Sequence, residues 1–157
     1  MLKRLFETEA GWPALILRLG LGVVFLAHGS QKVLGLWGGG GLSASYHAFT
    51  AQMGIPGVLA VLAIATEFIG SLCVLAGLLT RPAALAIAVE MVVAVRMAHW
   101  QHGFFMNWFG RMPAGAEGFE YHILLITIAV ALVMGGGGRL SADRAIAGMM
   151  GSRKKGG

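Results

Sequence analysis

The 157-residue chain is 57% hydrophobic and 12% charged, with 12 Lys and Arg against 7 Asp and Glu for a net charge of +5. That balance leaves too little polar surface to cover a soluble globule, and the basic residues are scattered between apolar runs with no patch of interleaved aromatics, which argues against nucleic acid as a partner. The single cysteine, Cys73, sits inside an apolar run and excludes an intrachain disulfide and any C-x-x-C redox or zinc motif.

A short polar leader holding Lys3 and Arg4 precedes Pro13, which suits a first helical position. Residues 13–34 form a first apolar run interrupted by Arg18, His28, Gln31 and Lys32. Its charge and polar ending are unlike the short uncharged core of a cleaved signal peptide. Arg18, Gly22, Phe25, Gly29 and Lys32 fall on one helical stripe, with His28 at its margin. Residues 35–56 read as a glycine-rich turn, a short interfacial helix over 42–53 with Ser43 as N-cap, and a second turn at Gly54-Ile55-Pro56. Trp37, Tyr46 and His47 suit headgroup depth, where amphipathic rings are favoured. The four glycines of residues 38–41 resemble a phosphate loop by composition only, since no G-K-[ST] follows.

Residues 57–79 are the organising run, with Glu67 as their only formal charge. At about 1.5 Å per residue they rise about 34 Å, enough for a hydrocarbon core of about 30 Å. A carboxylate at mid-membrane must face protein or water, and Ala60, Ala63, Gly70, Ser71 and Gly77 supply the small-residue face on which neighbouring helices approach it. After the turn Thr80-Arg81-Pro82, residues 82–100 form a third run carrying Glu90, Arg96 and His99. An aromatic and glycine-rich loop leads to a fourth run at 120–138, opened by Glu120-Tyr121-His122, and a basic tail closes the chain at 139–157. The fold expected is all-α: a single-domain integral membrane bundle of four transmembrane helices, with the interfacial helix between the first and second.

Lys3, Arg4, Arg81, Arg139, Arg144, Arg153, Lys154 and Lys155 gather on one side of such a bundle, while the other holds Lys32 and Arg111, with Arg96 near that end of the third run. The excess of Lys and Arg marks the cytoplasmic side, so both termini are expected inside. Counting depth along the helices gives two polar layers: an inner Arg18–Glu90 ion pair, and an outer cluster of His28, Lys32, Arg96, His99, Glu120 and His122 around Glu67. Lys32 or Arg96 is the expected partner of Glu67. Glu90 and His99 point in nearly opposite directions at 100° per residue and share a pocket only if the third helix kinks. These charges also fit a purely structural role as ion pairs that fix helix register. The histidines could ligate a metal, but no H-x-x-x-H or E-x-x-H pattern is present, so neither a metal nor haem is expected. The nine methionines are dispersed and read as packing.

In order and spacing, Arg18-Leu19-Gly20, His28-Gly29 with Lys32, Glu67, residues 77–81 (GLLTR), His99 with residues 103–105 (GFF), residues 117–121 (EGFEY) and residues 138–144 (GRLSADR) together resemble the DoxX family of four-helix bacterial membrane proteins. The resemblance implies the cytoplasmic (inner) membrane and membrane oxidoreductase complexes, linked to quinone-coupled sulfur oxidation or redox homeostasis. On that reading Glu67, His28 and Lys32 carry hydrogen bonds and protons, while His99, Arg96, Glu120 and His122 hold the quinone. No flavin, haem-attachment or iron–sulfur motif is present, so electrons require a partner protein, soluble or membrane-bound, and the chain is not catalytic alone. Glycine-rich faces also suggest a homo-oligomer. The competing reading is a non-catalytic anchor or scaffold, or a membrane protein handling small solutes or metal.

Overall fold

The computed structural model describes residues 6–8, 11–113 and 115–152, with side chains to residue 150. Lys3, Arg4, Arg153, Lys154 and Lys155, which carry part of the orientation argument, lie outside the described residues. Among the described residues every regular element is helical, with no strand. Helix α1 spans Trp12–Leu34, with Pro13 in its first turn and Gly35 in the left-handed conformation closing it. A single 3₁₀ turn, Leu36–Gly38, leads to α2, Gly41–His47, which widens into a π turn at Ala48–Gln52. Helix α3 runs from Gly57 to Ala76 with a π turn at Thr66–Gly70. Helix α4, Thr80–Ala94, continues through a π turn at Val95–His99 and a 3₁₀ turn at Trp100–His102. Helices α5, Glu120–Gly135, and α6, Ala142–Ser152, complete the chain.

Three of these stretches, Trp12–Leu34, Gly57–Ala76 and Thr80–His102, are long and apolar enough to cross a membrane. Helix α5 is apolar but has 16 residues, so it rises about 24 Å against a core of about 30 Å. The helices bury a common core of Leu21, Phe25, Val74, Ile87, Met91, Leu125 and Leu132. Helix α5 lies along α4, and α1 lies along the second half of α3. Close approach of α1 to α3 depends on Gly29, where a Cβ would stand 2.7 Å from the Phe68 backbone.

Several elements differ from the sequence reading at their ends. Helix α3 stops at Ala76 because Gly77 turns left-handed, and α4 starts at Thr80, two residues before the expected Pro82. The tail contains α6, whose first turn is capped by Ser141 Oγ accepting the Arg144 N–H at 3.2 Å. That helix closes one end of the bundle. Asp143, 1% exposed, accepts the Leu79 and Thr80 N–H groups at 2.7 and 2.9 Å, and its own N–H donates to Gly77 O at 2.8 Å. Arg81 ties the same end to α5, donating to Val133 O at 2.5 Å.

Candidate functional site

At the other end, α1, α3, α4 and α5 surround a cavity of about 590 Å³. Its wall is mostly apolar, including Phe25, Phe49, Met53, Met91, Met97 and Leu125, and its polar lining groups are His28, Lys32, Glu67, Glu90, His99, Glu117, Tyr121 and His122. An apolar pocket with a few convergent polar groups is the usual form of a small-molecule site.

Lys32 stands one turn beyond His28 on α1, and its Nζ meets Glu67 Oε2 at 2.5 Å. Glu67 is 7% exposed. It sits within the π turn of α3, which inserts one extra residue into the helix and re-aims its side chains. The Glu90 carboxyl lines the same cavity as Glu67 and lies within the fields of Glu67 and Lys32, with its Oε2 buried and unbonded among the described residues. One ammonium therefore stands against two carboxyls. It offsets one of the two negative charges.

A histidine pair forms the neighbouring wall. The His99 and His122 rings lie 4.1 Å apart, tilted by 44°. His99 Nδ1 is 2.8 Å from Glu117 O, and because a carbonyl only accepts, that nitrogen carries the hydrogen. In the neutral ring His99 Nε2 is thus an acceptor. His122 is 8% exposed, and its Nδ1 has no hydrogen-bond partner among the described residues.

Several sequence expectations are corrected by this geometry. The Arg18–Glu90 pair does not form. Arg18, fully buried, donates to Leu75 O at 3.0 Å, Arg139 O at 3.1 Å, Leu140 O at 3.2 Å and Val74 O at 3.4 Å, so its donors hold helix ends together and Asp143 supplies the nearby charge. Because α4 starts two residues early, Glu90 is raised by about 3 Å, to the level of Glu67. Arg96 is exposed on the outward stripe of α4 and does not line the cavity, which leaves Lys32 as the partner of Glu67. The π turn between Glu90 and His99 supplies the kink that brings both to one cavity. Glu120 is turned to the 103–119 loop, where its Oε1 accepts the Met106 N–H at 3.1 Å and the Trp108 indole N–H. That loop roofs the cavity through Met106, Trp108 and Glu117, the last also accepting the Asn107 N–H at 2.7 Å. Glu117 and Tyr121 were visible in sequence only within the EGFEY motif, with nothing to mark them as lining residues. Among the described residues no group of three or more His, Cys, Asp and Glu is placed to hold a metal ion.

Three apolar membrane-length helices that contribute to the wall of one cavity define a multi-pass membrane protein. The DoxX family model matches residues 14–100, and the chain belongs to the DoxX family. The chain is also 30% identical over 118 residues to a Bacillus subtilis (strain 168) protein named "Putative oxidoreductase CatD", covering 75% of this chain and 76% of that one. No solved structure matches. The matched segment holds Lys32, Glu67, Glu90 and His99, while Glu117, Tyr121 and His122 lie beyond it.

Proposed function

We propose that the protein is the membrane subunit of a quinone-linked oxidoreductase complex, and that the cavity receives the quinone ring. The observation that carries this reading is the Lys32–Glu67–Glu90 cluster facing a mostly apolar cavity beside a histidine acceptor. Reduction of a quinone consumes two electrons and two protons. The chain contributes the protons: Glu67 and Glu90 hold one beside Lys32, and His28, at the exposed margin of the cavity, exchanges with water. His99 Nε2 accepts a hydrogen bond from a quinol hydroxyl, the role its tautomer permits. Electrons come from a redox partner protein, because no redox motif is present in the sequence.

The relative's oxidoreductase name supports the same class. In this reading α5 is the fourth span, its short rise made up by the flanking residues. The chain lies in the bacterial cytoplasmic membrane with both termini inside, α2 rests at the interface, and glycine faces mediate homo-oligomer contacts. Purification in mild detergent followed by mass spectrometry should recover bound quinone and a redox partner, and Glu67→Gln should abolish quinone-linked turnover of that complex. Recovery of the chain with neither would favour the anchor reading. Cysteines at Gly40 and Gly148 in a Cys73→Ser background test orientation: an impermeant reagent should reach the first from outside and not the second.

A further inference from the structure

Five residues that line the cavity are also exposed: His28 on α1, and Met53 at 37%, Val93 at 45%, Met97 at 46% and Trp108 at 73%. Among the exposed residues of α4, Leu85, Val89, Val92, Val93, Arg96, Met97 and Trp100 form a stripe at helical spacing that is apolar except for Arg96. In a membrane-spanning helix such a stripe faces hydrocarbon. Val93 and Met97 therefore belong to the lipid-facing surface and to the cavity wall at once. The packing of α3 explains how. Its second half, residues 66–76, packs on both α1 and α4, whereas residues 57–65 pack on residues 41–52 and more lightly on α1. Helices α3 and α4 part above Glu67, and Phe49, Met53 and Ile55 border the space left between them.

We infer that the cavity opens sideways into the bilayer between α4 and the 49–55 segment, and takes from the membrane an amphipathic ligand whose polar ring reaches Lys32, Glu67 and Glu90 while its hydrocarbon chain lies across Val93 and Met97. Lys32, Glu67 and Glu90 are buried or half-buried while Met53, Val93 and Met97 are exposed, with His28 as the exposed polar lining group, so a ring-and-chain molecule enters between α4 and the 49–55 segment ring first with its chain in lipid. Water-soluble ligands gain nothing from such a mouth, since they would have to leave water for hydrocarbon before reaching the charges. The identity of the ring rests on the quinone reading above. The sideways opening does not.

Accessibility of the cavity wall tests the opening without any ligand. Ala63 lines the cavity from α3, and Ala63→Cys in a Cys73→Ser background, with the full chain in phosphatidylcholine nanodiscs, places a thiol there. A long-chain alkyl maleimide dissolved in the bilayer should label it at least about tenfold faster than a sulfonated maleimide in water, because the charged reagent is excluded from hydrocarbon. Adding Val93→Trp, which fills the mouth, should slow the alkyl reagent by about tenfold or more, whereas Val92→Trp, on the same stripe but outside the lining, should change it less than about twofold. If Val93→Trp alters the size-exclusion profile of the protein, Met97→Trp replaces it. Labelling by the sulfonated reagent at an equal or higher rate, or equal effects of the position-92 and mouth variants, would overturn the inference. The quinone reading fails separately, through absence of saturable decyl-quinone binding to the parent protein. If that binding is present, Val93→Trp should weaken decyl-quinone by at least about tenfold while leaving the chainless ring within about twofold.

Discussion

Replacing Glu67 by Gln removes the carboxylate that meets Lys32 at 2.5 Å, yet the structure supplies a substitute in Glu90. Breaking a buried pair by removing one partner costs about 3 to 5 kcal/mol, because the remaining charge is left unpaired. Two features reduce that cost here. The Lys32 side chain is 24% exposed against 9% for Glu67, so its ammonium keeps part of its hydration, and Glu90 can take over as its counter-charge. Glu67→Gln alone should therefore cost about 1 to 2 kcal/mol and Glu90→Gln alone less than about 1 kcal/mol, while the double variant should reach about 3 to 4 kcal/mol. The shortfall of the summed single costs against the double cost, about 1 to 2 kcal/mol, is the coupling through Lys32. Thermal unfolding of the purified protein in mild detergent reads these costs at about 2 to 4 °C per kcal/mol for a chain of this size. Strictly additive costs would refute the shared counter-ion, as would a Glu67→Gln variant as damaged as the double.

Three further outcomes follow from the packing. Gly29→Ala puts a Cβ against the Phe68 backbone, so α1 must move from α3; it should cost about 2 kcal/mol or more by overpacking, and a Lys32→Met change added to it should then cost less than in the parent. Asp143→Asn exchanges one acceptor oxygen for an amide beside the Leu79 and Thr80 N–H groups and removes the charge near Arg18, and should lower the unfolding midpoint by an amount equivalent to about 2 to 3 kcal/mol without altering ligand binding at the far end. Glu120→Gln weakens the acceptor for Met106 and Trp108; it should cost only about 1 kcal/mol globally but increase the rate of proteolytic cleavage within residues 103–119 severalfold, since the change is confined to the roof.

The bundle was legible because its signals are local: apolar length, the small-residue faces and the Arg18–Gly22–Phe25–Gly29 stripe all survive in the structure. Depth along a helix likewise narrowed the partner of Glu67 to Lys32 or Arg96, and the structure pairs it with Lys32. The site was less legible where it depends on irregular turns. A count at 100° per residue sends Glu90 and His99 to opposite faces, and the extra residue of the π turn at Val95–His99, which no composition marks, reverses that result and leaves Arg96 outward. A two-residue error in the start of α4 was enough to assign Glu90 to the wrong layer. Helix α6 was hidden in a tail read by charge alone, although Ser141 with Asp143 and Arg144 is an ordinary helix-start pattern. That same oversight concealed the real partners of Arg18, which are backbone carbonyls and therefore invisible to any search for an opposite charge.

The central claim is that the cavity with the Lys32–Glu67–Glu90 cluster at its polar end binds a quinone. Titration of decyl-quinone into nanodiscs bearing the full chain, read by the fluorescence of Trp108 in a background lacking the other tryptophans, tests it most directly, because Trp108 lines the cavity. Saturable one-to-one quenching in the parent, weakened by about tenfold or more in Lys32→Met and in the Glu67→Gln/Glu90→Gln double variant, is the result predicted for a polar cluster that contacts the ring. Quenching that never saturates, or that is the same in the parent and both variants, would contradict it.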